Sequence, residues 1–125
     1  MAETLGVLIK PSSGDCNLNC AYCFYLRSSE LYHQTVPRRM SESVLAEMVK
    51  QVLDMNYPNA AFSWQGGEPL LMGLGFYEKA VEMMRKYGRN GHNVSNALQT
   101  NGILLDDKWA AFFKQYSFLL GVSLD

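Results

Sequence analysis

This sequence lacks long hydrophobic runs and an excess of one charge, and its odd number of cysteines cannot all pair in disulfides. No apolar stretch approaches the roughly 20 residues that a membrane-spanning helix needs, and the first residues lack the basic and apolar regions of a signal peptide. Eleven Lys and Arg against twelve Asp and Glu leave a net charge of -1, which argues against nucleic acid or an acidic membrane as partner. The sequence predicts a protein of the reducing cytoplasm.

Cysteine residues are few, and they lie close together in the sequence. The chain has three cysteines, Cys16, Cys20 and Cys23, spaced C-x3-C-x2-C with Tyr22 before the last. An odd, tightly spaced set cannot pair fully in disulfides, whereas thiolates on one short loop can converge on a soft metal centre. A 4Fe–4S cluster normally takes four thiolates, so three ligands would leave one iron open to a non-protein group. The triplet therefore predicts an iron–sulfur site with an open iron.

Zinc is the alternative metal for these cysteines. It needs a fourth protein ligand, and His33 or His92 could serve, although neither lies at the usual zinc-finger spacing. Buried structural cysteines are common singly but improbable as a triplet beside turn residues. The spacing favours the cluster.

The rest of the chain alternates strand and helix patterns, in the order βαβαβαβ. With 48% hydrophobic residues, it has the composition of one globular domain. The predicted strands are Leu5–Ile9, Ala60–Gln65, Val94–Gln99 and Phe118–Val122. Helices are predicted from Ser41 as N-cap to about Met55, over Gly75–Tyr87 with Gly88 as its stop, and after Asp106 as N-cap. This order favours parallel strands, with the first strand buried.

Each predicted helix has an apolar face. The first carries Val44, Leu45, Met48, Val49, Val52 and Leu53; the second carries Phe76, Tyr77, Ala80, Val81 and Met84; the third carries Trp109, Phe112, Phe113 and Tyr116. Residues at this spacing lie on one side of a helix and predict packing against the sheet.

Every unusual motif follows a predicted strand. The cysteine loop follows the first strand, Gly66-Gly67-Glu68-Pro69 the second and Gln99-Thr100-Asn101-Gly102 the third, while Ser123-Leu124-Asp125 closes the fourth. In α/β barrels the carboxyl ends of the strands carry the site. The sequence therefore predicts one site at this edge, on a sheet whose two outer strands remain unpaired.

The wider sequence resembles the radical S-adenosylmethionine superfamily, in particular the anaerobic sulfatase-maturating enzymes. The resemblance runs in register from about Val7 to Asp125 and rests on the segments IKPSSGDCNLNCAYCFYL, FSWQGGEPLLMGLGFYEKA, LQTNGILLDDKWAAFF and FLLGVSLD. It implies an α/β fold, a partial (βα) barrel of about four parallel strands and three helices that is truncated after strand four. Residues 1–125 would then be the N-terminal portion of a radical SAM core domain.

The resemblance also implies a chemistry. A 4Fe–4S cluster and S-adenosylmethionine would generate a 5′-deoxyadenosyl radical, and this oxidoreductase would oxidise a Cys or Ser of a sulfatase to Cα-formylglycine. The implied partners are the sulfatase polypeptide and an electron donor such as a flavodoxin or ferredoxin.

The resemblance also implies roles for individual residues, according to their positions in the matching motifs. The metal ligands would be Cys16, Cys20 and Cys23. The cofactor contacts would be Tyr22, Gly67, Glu68, Gln99, Ser123 and Asp125, with the Gly-Gly-Glu motif at the amino group of S-adenosylmethionine. Tyr25 and Gln65 would face the peptide. For most of these residues a turn, packing or strand-end role is the alternative interpretation.

Part of the family pattern has no counterpart here. Two further cysteine-rich clusters, a general base and an arginine for the cofactor carboxylate would lie beyond Asp125, so this chain alone is predicted to be incomplete for turnover. The alternative functions are another radical peptide-modifying enzyme, a simple iron–sulfur electron carrier and a cluster-free scaffold. Whether cysteine or serine is the target stays open.

Overall fold

The computed structural model describes residues 3–12, 39–89 and 92–123. Over these ranges the chain forms four strands, three α-helices and one 3-10 turn. In order they are β1 (Thr4–Ile9), α1 (Glu42–Asp54), β2 (Asn59–Trp64), the 3-10 turn (Pro69–Met72), α2 (Leu74–Tyr87), β3 (Asn93–Thr100), α3 (Asp107–Gln115) and β4 (Leu119–Val122). The predicted alternation is confirmed, and the 3-10 turn is an addition to it.

The strands form one parallel sheet in the order β1-β2-β3-β4. Leu8 of β1 lies beside Ser63 of β2, which lies beside Ala97 of β3, which lies beside Leu119 of β4. Consecutive strands are therefore neighbours, as in a barrel wall, and β1 and β4 are the outer strands of this sheet. The predicted partial barrel with four parallel strands and three helices is confirmed.

Local side chains determine where two of the helices begin. The Ser41 Oγ accepts a hydrogen bond from the Val44 N–H at 3.2 Å, and the Asp106 Oδ1 accepts one from the Trp109 N–H at 3.0 Å. Each bond satisfies an N–H group that the first helical turn leaves unpaired. Both N-caps are confirmed.

The helices are short. The longest described helix is α2, with 14 residues, against the roughly 20 that a membrane span requires. Among the residues that the structure describes, no helix is long and apolar enough to cross a membrane.

The core lies between one face of the sheet and the helices. The strands contribute Ile9, Ala60, Phe62, Trp64 and Leu98, and the helices contribute Leu45, Val49, Val52, Leu53, Phe76, Tyr77, Ala80, Val81, Met84, Trp109, Phe112 and Phe113. The predicted face of α2 is buried throughout. This packing leaves the opposite face of the sheet without helices from the described residues.

Two burial predictions were wrong. Leu8, in the strand predicted to be buried, is 56% exposed, because successive side chains of a strand point to opposite faces. Val44 is 54% exposed; it lies about 100° around α1 from Leu45, at the edge of the apolar stripe. Tyr116 packs against the core as predicted, although it is only partly buried because it follows the last turn of α3 as its C-cap.

Candidate functional site

The segments that follow the four strands meet at one edge of the sheet. Parallel pairing continues past the strand ends, since the Gln65 N–H donates to the Ile9 carbonyl at 2.8 Å and the Ser123 N–H donates to the Thr100 carbonyl at 2.9 Å. The predicted motifs after β2, β3 and β4 are thus brought together. The geometry is that of an α/β barrel site, at the carboxyl ends of the strands.

Glu68 is a fully enclosed charged residue of this edge, with 0% exposure. Its Oε2 accepts a hydrogen bond from the Leu70 N–H at 2.8 Å, and its Oε1 accepts one from the Asn101 N–H at 2.8 Å. The Thr100 hydroxyl donates from a position 2.8 Å from both oxygens. A buried carboxylate needs such donors, and these come from the exits of β2 and β3.

The main chain around Glu68 is also constrained, by a hydrogen bond and by the conformation of a glycine. The buried Ser12 hydroxyl, just after β1, donates to the Glu68 carbonyl at 3.1 Å. Gly66 has φ +112°, a conformation that a side chain disfavours. The backbone conformation therefore requires glycine at position 66. The Gly-Gly sequence alone does not show which of Gly66 and Gly67 has this requirement.

Tyr77 closes the inner side of the same segment. Its hydroxyl donates to the Pro69 carbonyl at 2.8 Å, and its side chain is fully buried. Burial, with a smaller contribution from the negative charge of Glu68, raises the pKa of Tyr77 well above its ordinary value. The hydroxyl accordingly remains a donor.

Gln99 and Ser123 form a second polar pair, at the exits of β3 and β4. The Gln99 Nε2 donates to the Ser123 Oγ at 3.0 Å. A Cβ placed on Gly121 would collide with the Gln99 amide oxygen, so the glycine provides the space in which this side chain lies. Because Ser123 accepts from Gln99, its own hydroxyl proton can point to another acceptor.

Gln65 and Gln99 line the same cavity. The cavity measures about 300 Å³ and is lined by Ser63, Gln65, Ala97, Gln99 and Gly121, among others. A larger cavity of about 640 Å³ lies between α2 and α3, away from the strand ends. The smaller one includes two of the predicted site residues, Gln65 and Gln99.

Several predicted site residues lie outside the described ranges: Cys16, Cys20, Tyr22, Cys23, Tyr25, His33 and Asp125. In the described part of the chain, no group of three or more His, Cys, Asp or Glu side chains could hold a metal ion. The roles assigned to the cysteines, to both tyrosines and to Asp125 stay predictions, as do the cofactor and substrate roles of the described residues.

His92 fits the surface role predicted for it better than a zinc ligand role. Its Nδ1 accepts from the Arg89 N–H at 3.0 Å and its Nε2 lies 2.8 Å from the Asn56 Oδ1. It directly precedes β3, at the amino ends of the strands, whereas Ser12, the last described residue before the cysteines, lies at the carboxyl ends. Its position disfavours it as a fourth ligand.

Sequence reasoning missed three members of this edge: the Ser12 hydroxyl, the partnership of Thr100 with Glu68, and the space at Gly121. In the sequence, Ser12 resembles an ordinary turn residue, and Gly121 is a glycine within an otherwise apolar strand. Only the signal at Gly121 was usable, because glycine inside a strand often marks close approach of another group.

Comparison with known proteins bears on the whole chain. Residues 11–125 match the model of the Radical SAM superfamily. The serine-type anaerobic sulfatase-maturating enzyme of Bacteroides thetaiotaomicron is 41% identical over 125 residues, which is 99% of this chain and 30% of that protein. The cysteine-type enzyme of Clostridium perfringens is 45% identical over 121 residues, 97% of this chain and 33% of that protein. The chain spans about a third of the length of these relatives.

Solved structures agree with the sequence comparison. Native anSMEcpe with bound AdoMet and Cp18Cys peptide superposes with a TM-score of 0.86 at 44% identity, covering 98% of this chain and 32% of that one. Native anSMEcpe with bound AdoMet superposes with a TM-score of 0.84, again at 44% identity, over 96% of this chain and 32% of that one.

Proposed function

The chain belongs to the radical SAM superfamily, and we propose that it forms the N-terminal part of the catalytic domain of an anaerobic sulfatase-maturating enzyme. The observation that carries the proposal is the coincidence of two independent features. Identity above 40% to a relative of each enzyme type extends over nearly the whole chain, and polar residues of the motifs after β2, β3 and β4 form hydrogen bonds to one another at the strand ends.

The donor chemistry fits the implied cluster. Cys16, Cys20 and Cys23 are soft thiolate ligands, and three of them leave room for a fourth, non-protein ligand. With S-adenosylmethionine bound, the cluster would supply the radical that removes a hydrogen atom from the target Cys or Ser. Thiolates persist in a reducing compartment, which supports a cytoplasmic location.

The described residues fit the implied S-adenosylmethionine. Gly67 would offer backbone groups to its amino group, next to the buried Glu68. Gln99 would orient the Ser123 hydroxyl so that its proton points to an acceptor of the cofactor. Tyr22 and Asp125 complete the proposed contacts. In this arrangement the protein contributes binding and orientation, while the cofactor provides the difficult chemistry.

The peptide would lie on the open face of the sheet. Gln65 lines the cavity of about 300 Å³, and its exposed amide can donate to and accept from a peptide backbone. Together with Tyr25 it would hold the sulfatase segment that carries the target residue. Serine-type and cysteine-type relatives are similarly close, so the identity of the target follows from neither comparison. A flavodoxin or ferredoxin would supply the electron.

The first experiment is electron paramagnetic resonance of the anaerobically reconstituted, reduced protein, with and without S-adenosylmethionine. We expect a 4Fe–4S signal that changes when the cofactor is added, because the cofactor would ligate the open iron. A Cys20→Ala variant serves as the control and should lose most of the signal. A signal that does not change with the cofactor would show that residues 1–125 hold a cluster without binding S-adenosylmethionine, and would contradict the proposed cofactor site in this chain.

Turnover is tested separately. Sulfatase peptides with Cys or Ser at the target position would be incubated with the reduced protein and analysed by mass spectrometry. We expect binding without conversion, because the family's further clusters and base have no counterpart in residues 1–125. Formylglycine in either peptide would show that the chain is sufficient, and would identify its type.

A further inference from the structure

A third cavity lies near the amino ends of the strands, and the proposed function makes no use of it. It measures about 320 Å³ and lies among the end of α2, the first half of β3 and the C-cap of α3. Its lining includes the side chains of Arg85, Arg89 and Asn96. We propose that this cavity binds the phosphate or carboxylate group of a small organic anion. The inference goes beyond the proposed function and does not depend on it.

The cavity is separate from the predicted cofactor and peptide residues. Val94, which lines it, is the second residue of β3, whereas Gln99 lies five positions further along the same strand. At about 3.3 Å per residue, these two positions are roughly 16 Å apart along the strand. Neither Glu68 nor the pair of Gln99 and Ser123 lines this cavity. A ligand bound here would leave the proposed S-adenosylmethionine site free.

The positive charge of the cavity is only partly offset by acidic side chains. No Asp or Glu of the described ranges lines it, and within those ranges Arg85 forms no ion pair. The Arg89 Nη2 lies 3.6 Å from the Asp54 Oδ1, and both side chains are about half exposed. Because such an exposed pair contributes little free energy, Arg89 can exchange it for an anionic ligand at low cost.

Arg85 is oriented by an aromatic ring and keeps its hydrogen-bond donors. Its Cζ lies 5.1 Å from the centre of the Tyr116 ring, which is a cation–π distance. Among the described residues, no protein group accepts a hydrogen bond from its guanidinium. The planar fork of N–H donors in arginine matches two oxygens of a phosphate or a carboxylate. Arg85 is therefore oriented at the cavity with its donors available.

The amide of Asn96 is a second, independent indication of a missing acceptor. Its Oδ1 accepts a hydrogen bond from the Trp64 indole N–H at 3.0 Å, which determines the orientation of the amide. Its Nδ2 then lies 3.5 Å from the Met84 Sδ, and a thioether is a weak acceptor. Asn96 and Met84 both line the cavity. A charged oxygen there would be a stronger acceptor for this donor than the sulfur is.

The size and the other walls of the cavity limit the ligand. About 320 Å³ is at the lower end of the range for small-molecule sites. Val81, Val94 and Tyr116 offer apolar contacts to the body of the ligand. His92 also lines the cavity, but both of its ring nitrogens have partners, so it contributes shape and not donors. The ligand is thus an oxyanion on a small apolar body.

Isothermal titration calorimetry at low ionic strength tests the site, with phenyl phosphate and benzoate as probes. We expect one-to-one binding, and the probe that binds more tightly identifies the anion as phosphate or carboxylate. Arg85→Gln should weaken this binding about tenfold, which corresponds to the loss of one hydrogen bond to a charged group. None of these measurements needs the cluster or S-adenosylmethionine, so their failure would leave the proposed function untouched.

Lys86→Gln is the matched control. It removes the same charge from the same last turn of α2, but the Lys86 Nζ lies 5.4 Å from the centre of the Tyr87 ring and does not line the cavity. Its affinity for the anion should equal that of the original protein. Equal weakening by Arg85→Gln and Lys86→Gln would overturn the proposal, because net charge alone would then attract the anion. Binding of neither probe would overturn it as well.

Nuclear magnetic resonance locates the bound anion. In ¹H–¹⁵N spectra of the original protein, the side-chain amide signals of Asn96 should shift as the tighter probe is added, because the anion replaces the Met84 sulfur as acceptor. Shifts elsewhere that leave the Asn96 side chain unchanged would place the anion outside this cavity and contradict the proposal. The same spectra of Arg85→Gln and Lys86→Gln show that each variant is folded.

Discussion

The two faces of the sheet are built from opposite kinds of side chain. Toward the helices, the strands present large residues, including Phe62, Trp64 and Leu98, all nearly inaccessible. Toward the other side they present small ones, Gly6, Ala61, Ser63, Ser95, Ala97 and Gly121, flanked by the exposed Leu8 and Leu119. Because strand side chains alternate, one stretch of sequence supplies both a packed core and open space.

Aromatic contacts extend the packed face from the sheet to the third helix. The Trp64 ring lies 5.3 Å from that of Tyr77, edge to face, and Tyr77 lies 5.8 Å from Trp109. Such pairs add to the free energy gained from burial alone. Stability is thus concentrated on one face, whereas the other contributes Ser63, Ala97 and Gly121 to the smaller cavity. The following predictions test this division.

The largest difference is expected between neighbours on opposite faces of β2. Trp64→Ala removes a fully buried ring and should lower the free energy of unfolding by about 3–5 kcal/mol. Ser63→Ala, on the open face, should change it by no more than about 0.5 kcal/mol. Denaturant unfolding measures both, and similar losses in the two variants would show that the open face is also packed.

Substitutions that enlarge a side chain should give the same contrast between the two faces, with smaller losses in the free energy of unfolding. Ala60 is buried toward the helices and Ala61 lies on the open face. Ala60→Leu inserts atoms into a packed core and should cost about 1–3 kcal/mol, whereas Ala61→Leu should cost less than about 0.5 kcal/mol, as at surface sites. Thermal melting compares the two variants; a larger loss for Ala61→Leu would contradict the division.

Tyr77 tests the border between the two regions. Tyr77→Phe leaves the buried Pro69 carbonyl without its donor and should cost about 1–2 kcal/mol near neutral pH. The raised pKa of Tyr77 means that above pH 10.0, its ordinary value, the unfolded chain releases this proton first. Stability should then fall by up to about 1.4 kcal/mol per pH unit.

The phenylalanine variant is the control for that pH dependence. It lacks the titrating group, so the stability difference between the two proteins should shrink as the pH rises above 10.0. Denaturant unfolding between neutral and alkaline pH provides the measurement. A constant difference would mean that the hydroxyl ionises as easily in the folded protein as in the unfolded chain.

A small effect on stability, and a specific one on the site, is expected at Gly121. Gly121→Ala displaces the Gln99 amide from its present position and breaks its bond to Ser123, at a cost below about 1 kcal/mol because the displaced group is the end of a flexible side chain. Affinity for S-adenosylmethionine should fall several-fold, roughly the loss of one neutral hydrogen bond.

Gly6→Ala is the matched control for this variant. Gly6 lies on the same open face, and a Cβ there meets no atom within 4 Å. Its affinity should equal that of the original protein. If both glycine variants bind equally well, Gln99 does not orient Ser123 for the ligand.

Local sequence patterns were sufficient to predict the strands and the α-helices. Ser41 and Asp106 cap helices through bonds to residues three positions ahead, and the apolar spacing of α2 matches its buried face. These interactions span only a few residues, so they can be read without knowledge of the fold. The exposure of Leu8 could not be read in this way, because an apolar run does not reveal whether one or both faces of a strand are covered.

What the sequence by itself determined is the order of strands and helices, the place of each motif after a strand and the grouping of three cysteines in one short segment. What only the tertiary structure decided is which polar groups meet. Glu68 takes its donors from Thr100 and Asn101, 32 and 33 residues further along the chain, and Gln99 lies over Gly121. Such pairs depend on the register of parallel strands, which becomes fixed only when the apolar face of the whole sheet is buried against its helices.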